Sequence, residues 1–516
     1  MDGCNSRTIE LLAIALLPTL GVWIALGLSA VFALGLAAQF VFRAEIKDNS
    51  ASVFPPPRRG HFVVCWALSA LFALYASLLP FKFQALTFGE ARISFEHILR
   101  QEIGIDSRSD CLANILLALP LGFFASAALG VDRPRFPLAV WQVPLVIASC
   151  ACFSATLEFL QLWVPGRTSS QNDVVAQTVG AACGAAAWLI LGHRVTHWVR
   201  GFLAASAVDS RSRRILYAYC AILFFYSVLP LDITISPAQL YHKWRDGQHV
   251  VLVPRIWDEF SRERISETLT TTMFFATVGM LAARPTARVR IREAVFAASI
   301  WGLSLAAVIE LAQLFVASRF TKTSDIVLGA AAAALGGAAR WWVQQESASA
   351  GAHRAVAWRR SALALVYTVS LLVVFTAPFQ WLVDLQRIAK RWRNMWQIPF
   401  SYSKYWSDPL EALSDVMKKL LLFASLAALL ATALATILAA ENSSTSDHTS
   451  GTVSRQNQSP WISWLVLASC AVLATAIEML QVYLPPHVAD ITDVLLATLG
   501  ASLGVLALKF ATPQAR

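Results

Sequence analysis

Apolar runs long enough to cross a bilayer alternate with short polar breaks along almost the whole chain, and their rhythm repeats. A first set lies near 62–80, 111–131, 138–163 and 174–192. A second lies near 215–232, 268–283, 293–316 and 326–343, and a third near 361–383, 413–440, 461–484 and 494–510. A hydrocarbon core needs about 20 apolar residues in a helix, so each run predicts one spanning helix. A further run from Leu11 to Phe42 is too long for the apolar stretch of a cleavable signal. It predicts an N-terminal membrane helix, or a helical hairpin broken near Pro18 and Gly21. The predicted fold is all-α: a polytopic membrane protein of about 13 transmembrane helices, three four-helix repeats plus the N-terminal helix. Residues 1–60 hold the N-terminal helix and a cytoplasmic linker, and the repeats occupy 61–200, 211–345 and 357–516.

The repeats share polar residues as well as apolar rhythm. Glu158 and Gln161 are followed by Asp173, Gly180 and Gly184; Glu478 and Gln481 are followed at the same offsets by Asp493, Gly500 and Gly504. Glu310 and Gln313 are followed by Asp325 and Gly336, with Ala332 in place of the middle glycine. The three polar positions coincide by chance at on the order of one in ten thousand starts, so three copies indicate internal triplication. Charged groups in apolar segments are costly and mark candidate sites. The paired glycines fit close helix packing.

Composition agrees with the membrane reading: 57% hydrophobic, 14% charged, mean hydropathy +0.56. The net charge of +10 comes from basic residues clustered between apolar runs, not from a basic domain, and no nucleic-acid partner is expected. Arg133 and Arg135, Arg284 to Arg292, Arg194 to Arg214 and Arg340 to Arg360 mark cytoplasmic loops. The turns carrying the repeated polar motif then face the extracytoplasmic side. The stretch Glu441 to Gln458, rich in Ser, Thr and Asn, reads as a disordered cytoplasmic insert. The eight cysteines read as small hydrophobes in helix packing, and no metal site or cofactor is expected from them or from the nine scattered histidines.

Each first helix ends at an X-Pro pair: Leu79-Pro80, Leu229-Pro230 and Ala377-Pro378. The segments that follow mix basic and aromatic residues, as in Phe95 to Arg100, Leu240 to Arg245 and Arg387 to Trp396, continuing to Tyr402, Tyr405 and Trp406. Such segments suit helices lying in the outer interface, as structural anchors or as a basic surface drawing anionic headgroups.

Glu158 and Gln161 share a helical face, with Glu158 about 7–8 Å below the boundary at helical rise. A carboxylate there needs a proton or a partner. Arg167 lies nine residues beyond Glu158, Arg319 nine beyond Glu310, and His487 nine beyond Glu478. Asp173, Asp325 and Asp493 stand at the start of the fourth helix, where capping and the helix dipole also favour an acid. A fixed turn between helices three and four explains the constant Glu-to-Asp spacing. Before the second helix, Asp110 and Asn114 share a face; Glu267 and Thr271 take their places in repeat 2, and Asp415 and Lys419 in repeat 3. Lys419 is positioned to pair with Asp415, Glu478 or Asp493.

The sequence Asp110-x3-Asn114-x5-Pro120-x-Gly122, then Glu158-x2-Gln161, Pro165-x-Arg167, Asp173, Gly180 and Gly184, resembles the VanZ-like family of small membrane proteins. It departs from the pattern at Gln177, where a second Asn is expected. Repeats 2 and 3 keep the Glu, Gln and Asp but lose the counterpart of Asn114, and repeat 3 also loses the Arg. The resemblance implies a multi-pass protein of the bacterial inner (cytoplasmic) membrane, in the cell envelope. The family's named association is low-level resistance to the glycopeptide teicoplanin, and relatives occur beside exopolysaccharide machinery. No mechanism follows from this.

Three functions fit these residues. The first is an action on, or binding of, a lipid-linked or anionic headgroup substrate at the extracytoplasmic face. Glu158, Asp173 and Asp110 would then be the catalytic groups, and Asn114, Gln161 and Arg167 the substrate-binding groups. Their repeat equivalents are Glu267, Glu310, Gln313, Arg319 and Asp325 in repeat 2, and Asp415, Lys419, Glu478, Gln481, His487 and Asp493 in repeat 3. The expected partners are membrane lipids and lipid-linked envelope precursors or exopolysaccharide machinery. The second function is a structural or partner-binding scaffold, in which Glu/Arg pairs lock helix hairpins. The third is a transporter or flippase, disfavoured because the polar groups cluster near one membrane face. The sequence leaves open whether the site turns a substrate over or only holds it.

Overall fold

The computed structural model describes residues 58–98, 100, 108–131, 138–204, 208–229, 250–251, 264–283, 290–316, 318–319, 321–345, 352–401, 409–445 and 460–511. Among them are fourteen helices. Repeat 1 comprises α1 (Arg59–Leu78), the short α2 (Phe88–Ile98), α3 (Arg108–Gly130), α4 (Leu138–Gln161) and α5 (Gln171–Ala204). Repeat 2 comprises α6 (Val208–Val228), α7 (Ile265–Ala282), α8 (Ile291–Gln313) and α9 (Thr323–Gln344). Repeat 3 comprises α10 (Ala352–Thr376), the short α11 (Leu385–Met395), α12 (Pro409–Thr445), α13 (Pro460–Gln481) and α14 (Ile491–Ala511). Among the described residues the β structure is one short parallel pair in repeat 2, Val250–Val251 with Thr321–Lys322.

Ten of the described helices are long and apolar enough to span a membrane. The shortfall from the expected thirteen has two sources. The N-terminal run 11–42 lies outside the described residues. In repeat 2, α6 begins with Asp209, Arg211, Arg213 and Arg214, and α7 carries Ser266, Glu267 and a run of threonines, so both are too polar for a span by composition. They still pack as helices one and two of their repeat.

Helix ends differ from the apolar runs in an instructive way. Helix α5 continues beyond the run at 192 to Ala204, and α12 continues through Glu441–Thr445, into the stretch read as a disordered insert. The remainder of that insert lies outside the described residues, as do Arg133 and Arg135, the interfacial stretch at 240–245 and Tyr402 to Trp406. Apolar length does not set where a helix ends: in α12 backbone hydrogen bonding carries the helix on through the polar residues Glu441 to Thr445. The first helices stop at Leu78, Val228 and Thr376, just before each X-Pro pair, where proline restricts the preceding residue. The next residue, Phe81 or Phe379, takes a positive φ (59° and 53°) and turns the chain along the boundary.

The chain divides into two compact units, Met1–Ala205 with Ile398–Pro409, and Ser206–Gln397 with Leu410–Arg516. In the first unit, Ala73, Leu121, Val146, Cys150, Leu157, Ala181 and Ala185 form the main core. Tyr75 is buried and donates from its hydroxyl to the Pro399 carbonyl at 2.6 Å. The second unit holds repeats 2 and 3 around one core. Tyr219, Leu223, Met273, Phe274 and Val278 of repeat 2 meet Leu371, Leu421, Leu422 and Leu426 of repeat 3.

Helices two and four of each repeat approach closely, because lipid tails are as apolar as Leu and association rests on backbone-level packing. A Cβ at Gly180 or Gly184 would overlap the carbonyl oxygens of Ile115 or Leu119. The same holds for Gly500 and Gly504 against Leu420 and Ala424, and for Gly336 against Ala276. The register of helix two on helix four is therefore the same in repeats 1 and 3. Alanine is favoured over glycine in a helix by about 1 kcal/mol, so Gly60→Ala, with nothing within 4 Å, is expected to stabilise. Gly184→Ala is expected to reverse the sign and lose about 1–3 kcal/mol by overpacking. Thermal melts of the detergent-purified variants check both.

Candidate functional site

The fourth helix of each repeat starts ten residues after the third one ends: Gln161 to Gln171, Gln313 to Thr323, and Gln481 to Ile491. That constant turn is built from three ties. First, the Glu carboxylate reaches forward twelve residues and accepts from a backbone N–H. Glu158 Oε2 accepts from Ser170 N at 3.1 Å, Glu310 Oε2 from Lys322 N at 2.8 Å, and Glu478 Oε2 from Asp490 N at 2.8 Å. All three glutamates are buried.

Second, the residue nine positions after the Glu reaches back to the carbonyl preceding each proline. Arg167 Nε donates to Leu79 O at 3.2 Å and Nη2 to Ala76 O at 2.8 Å; Arg319 Nε donates to Leu229 O at 2.7 Å. His487 Nε2 meets Ala377 O at 2.7 Å. Third, the Gln313 and Gln481 amides donate to Ser227 O and Phe375 O, at 2.8 and 2.9 Å, two residues earlier. Gln161 is buried at the corresponding place. Backbone bonds from Gln84 N to Trp163 O and from Leu382 N to Tyr483 O, each 2.8 Å, repeat the same closure.

In repeat 3 the contact made by His487 is supplemented from α11. Arg391 donates to the carbonyls of Gln481, Leu484, Pro485 and His487. The guanidinium of Arg391 thus binds the turn itself, as a structural anchor does. In repeats 1 and 3 the segments expected at the interface form short helices. Phe88 and Phe95 of α2 pack on Phe159, with ring centroids 5.8 and 5.4 Å apart. Met395 and Ile388 of α11 pack on Val482 and Ala489.

The aspartates are not the helix caps. In repeat 1 the cap is Ser170, whose Oγ accepts from Asn172 N at 3.1 Å. In repeat 3 it is Asp490, whose Oδ1 accepts from Thr492 N and Thr492 Oγ1 at 2.9 and 2.6 Å. Asp173 and Asp493 lie one turn further in and face the second helix. Asn114 Nδ2 donates to Asp173 Oδ1 at 2.8 Å, and Gln177 Nε2 donates to Asn114 Oδ1 at 2.9 Å. Asp110, one turn before Asn114, is exposed and lies in electrostatic range of Asp173. In repeat 3, Lys419 Nζ is 2.6 Å from Asp415 Oδ2 and 2.7 Å from Asp493 Oδ1. Of the pairings open to Lys419, the two aspartates are realised as ion pairs. In repeat 2, Ser324 Oγ lies 3.5 Å from Asp325 Oδ1, and Glu267 and Thr271 occupy the helix-two positions.

The candidate residues of repeat 1 thus fall into two sets, joined by charge. Glu158, Gln161 and Arg167 belong to the turn; Asp110, Asn114 and Asp173 line the crossing of α3 and α5. Arg167 lies in electrostatic range of both Glu158 and Asp173. Burial pulls its guanidinium below the usual range and the two acids push it back; it remains a cation. Three participants were not singled out as site residues: Gln177, Ser170 and Asp490. Gln177 is four residues beyond Asp173, the helical spacing that places it on the same face. Ser170 and Asp490 are ordinary capping residue types immediately before a helical run.

Fold and site together define a multi-pass helical membrane protein built from repeated hairpins with buried polar ties at one end. The family model VanZ/LLP1 matches residues 31–192 and 362–512, more than half the chain. The chain belongs to the VanZ/LLP1 family, and the matched regions contain repeats 1 and 3. No curated protein and no solved structure matches it. The segment between the matched regions carries the same Glu, Gln and Arg ties at the same offsets.

Two predictions follow from the ties. Glu158→Ala removes the acceptor of the half-buried Ser170 N–H and is expected to lose about 1–3 kcal/mol of stability. Glu158→Gln keeps an acceptor oxygen and is expected to lose less, as thermal melts in detergent would show. His487 lies outside the spans, and burial holds its imidazole below the ordinary value of 6.5, so folding favours the neutral ring. The unfolded chain therefore binds the proton more readily, and stability falls as pH drops from 6.5 toward the lower folded value. His487→Arg is expected to remove that pH-dependent loss, measured as melting temperature between pH 8 and pH 5 on the order of three units apart.

Proposed function

We propose that this protein works at the extracytoplasmic face of the bacterial inner membrane, in the cell envelope. Its repeat 1 crossing, lined by Asp110, Asn114, Asp173 and Gln177, binds the headgroup of a lipid or lipid-linked envelope precursor. One observation carries the reading. The Asn114–Asp173–Gln177 network is made by side chains that repeat 2 and repeat 3 do not share in full, whereas the Glu tie, and a tie from the residue nine positions later, recur in all three. A hairpin therefore needs the Glu and a donor nine residues on, Arg or His, but does not need this network. Asn114 and Asp173 are half-buried, at a membrane boundary where a headgroup can approach. Placement at the extracytoplasmic side rests on the basic loops at the opposite helix ends.

On this reading Glu158 and Arg167 position the turn, and Asp173 and Asp110 are the groups available to touch substrate. The recurrence of the ties favours one second reading, a hairpin scaffold without a ligand. The full chain in nanodiscs, exposed to a photoactivatable phospholipid, separates the two. Asp173→Asn and Asn114→Leu are expected to keep folded yield but lose most cross-linking in repeat 1. Wild-type labelling at normal yield would make the scaffold the better account.

A further inference from the structure

The short helix α11 of repeat 3 presents three different faces around its axis. Ile388, Arg391 and Met395, at offsets of three and four, share the inward face. Met395 is fully buried, Ile388 packs with it on Val482 and Ala489, and Arg391 holds carbonyls of the turn. Leu385, Trp392 and Trp396, at offsets of seven and four, form a second stripe that the protein leaves exposed. Leu385 is 79% exposed, and Val383, just before the helix, is 86% exposed. Arg387, Lys390 and Arg393, each three apart, take the remaining side and are exposed as well. Arg387 pairs with the N-cap Asp384 at 3.2 Å, yet its side chain stays 75% exposed, and a pair so open to solvent is weak.

The corresponding helix of repeat 1 separates what the fold needs from what it does not. Helix α2 also follows helix one and also leaves apolar residues exposed, Phe88 and Ile93. Its charged residues are Glu90, Arg92 and Glu96, with Arg92 paired to Glu96 at 3.0 Å, so two acids stand against one arginine. Helix α11 instead carries Arg387, Lys390, Arg391 and Arg393, with no acid inside its bounds. Arg391 is used by the turn; the frame does not account for the other three.

We propose that the outer side of α11 is a docking surface for anionic phospholipid. Leu385, Trp392 and Trp396 lie in the acyl boundary, and Arg387, Lys390 and Arg393 reach the phosphates above them. This surface is separate from the repeat 1 crossing and goes beyond the headgroup reading given for it. Charge complementarity carries the assignment. A bare apolar stripe beside a basic one suits a helix lying in the plane of the interface, with Trp at headgroup level and long cationic side chains extending into the polar layer. A protein partner fits less well, because lysine is depleted from protein interfaces. Position agrees, since α11 follows shortly after Thr376, where the spanning helix α10 ends.

The test uses the full chain in nanodiscs of equal phosphatidylglycerol and phosphatidylcholine, doped with a photoactivatable probe of one headgroup or the other. Cross-links are mapped to peptides by mass spectrometry. At low salt the phosphatidylglycerol probe is expected to label the α11 peptide at least about fivefold over the phosphatidylcholine probe, the factor that one cation at an anionic surface supplies. The α2 peptide of the same molecule is expected to show no preference. The triple variant Arg387→Gln, Lys390→Gln, Arg393→Gln is expected to bring the α11 ratio toward unity. Raising the salt to about 1 M, where screening acts within about 3 Å, is expected to do the same in the wild type and decides the matter should the variant fail to fold. Equal labelling of α11 by both probes at low salt, a preference undiminished in the folded variant or at high salt, or an equal preference at α2 overturns the proposal. So does the absence of labelling by either probe, the result expected of a face covered by another protein.

Discussion

A helix that ends at the edge of a bilayer leaves its first four N–H and last four C=O groups without intrahelical partners. Water satisfies them on an ordinary protein surface; in a buried turn each unpaired group costs several kcal/mol. Everything else in this chain is arranged around that requirement. Glu158 takes the N–H at the start of α5, and Arg167 takes two carbonyls at the end of α1. One carboxylate and one guanidinium thus join the ends of three helices. Their opposite charges lie in range of each other, which lowers the penalty of placing either in a turn with little water. Lose the Glu and the fourth helix has no fixed starting point; lose the Arg and the first helix has no fixed end.

This constraint explains why part of the structure was legible in the residues. The ties depend on chain distance, because a turn of constant length must bring the same side chain to the same backbone group. A Glu-to-Asp spacing repeated three times is therefore a direct imprint of the turn. Spans of apolar sequence were equally direct in α3, α4 and α8, whose ends follow the runs closely. Repeat 2 was harder in α7, because threonines in its helix lower the hydropathy without preventing a helix. Their hydroxyls are absorbed by the backbone one turn earlier, as in Thr270 to Ser266 and Thr272 to Thr268.

The site itself was half legible. An acid at the start of a helix reads as a cap, and nothing in one-dimensional spacing separates a cap from a residue one turn further in. The separation comes from Ser170 and Asp490, which already occupy the cap and leave Asp173 and Asp493 to face the second helix. Likewise Arg391 sits among exposed basic residues in the sequence, but its helical phase turns it toward carbonyls of the turn that follows α13. Contacts between helices distant in sequence decide both cases.

Three copies in one chain also serve as controls on one another. A contact that recurs at equal offsets in all of them is accounted for by the demand of holding a hairpin at a membrane boundary. Glu158 and the position of Arg167, filled by His487 in repeat 3, meet that description, even though both are conspicuous charged residues in their segment. A contact that changes between copies is not required by the frame. Asn114, Thr271 and Lys419 differ at one register position, with the frame around it unchanged. The aspartate opposite is common to all three, yet its partner is an amide in repeat 1 and an ammonium in repeat 3. In the third copy an ion pair fills that position from within the chain. In the first, an uncharged amide stands there, so the two copies differ in charge at this one position while the fold is held constant.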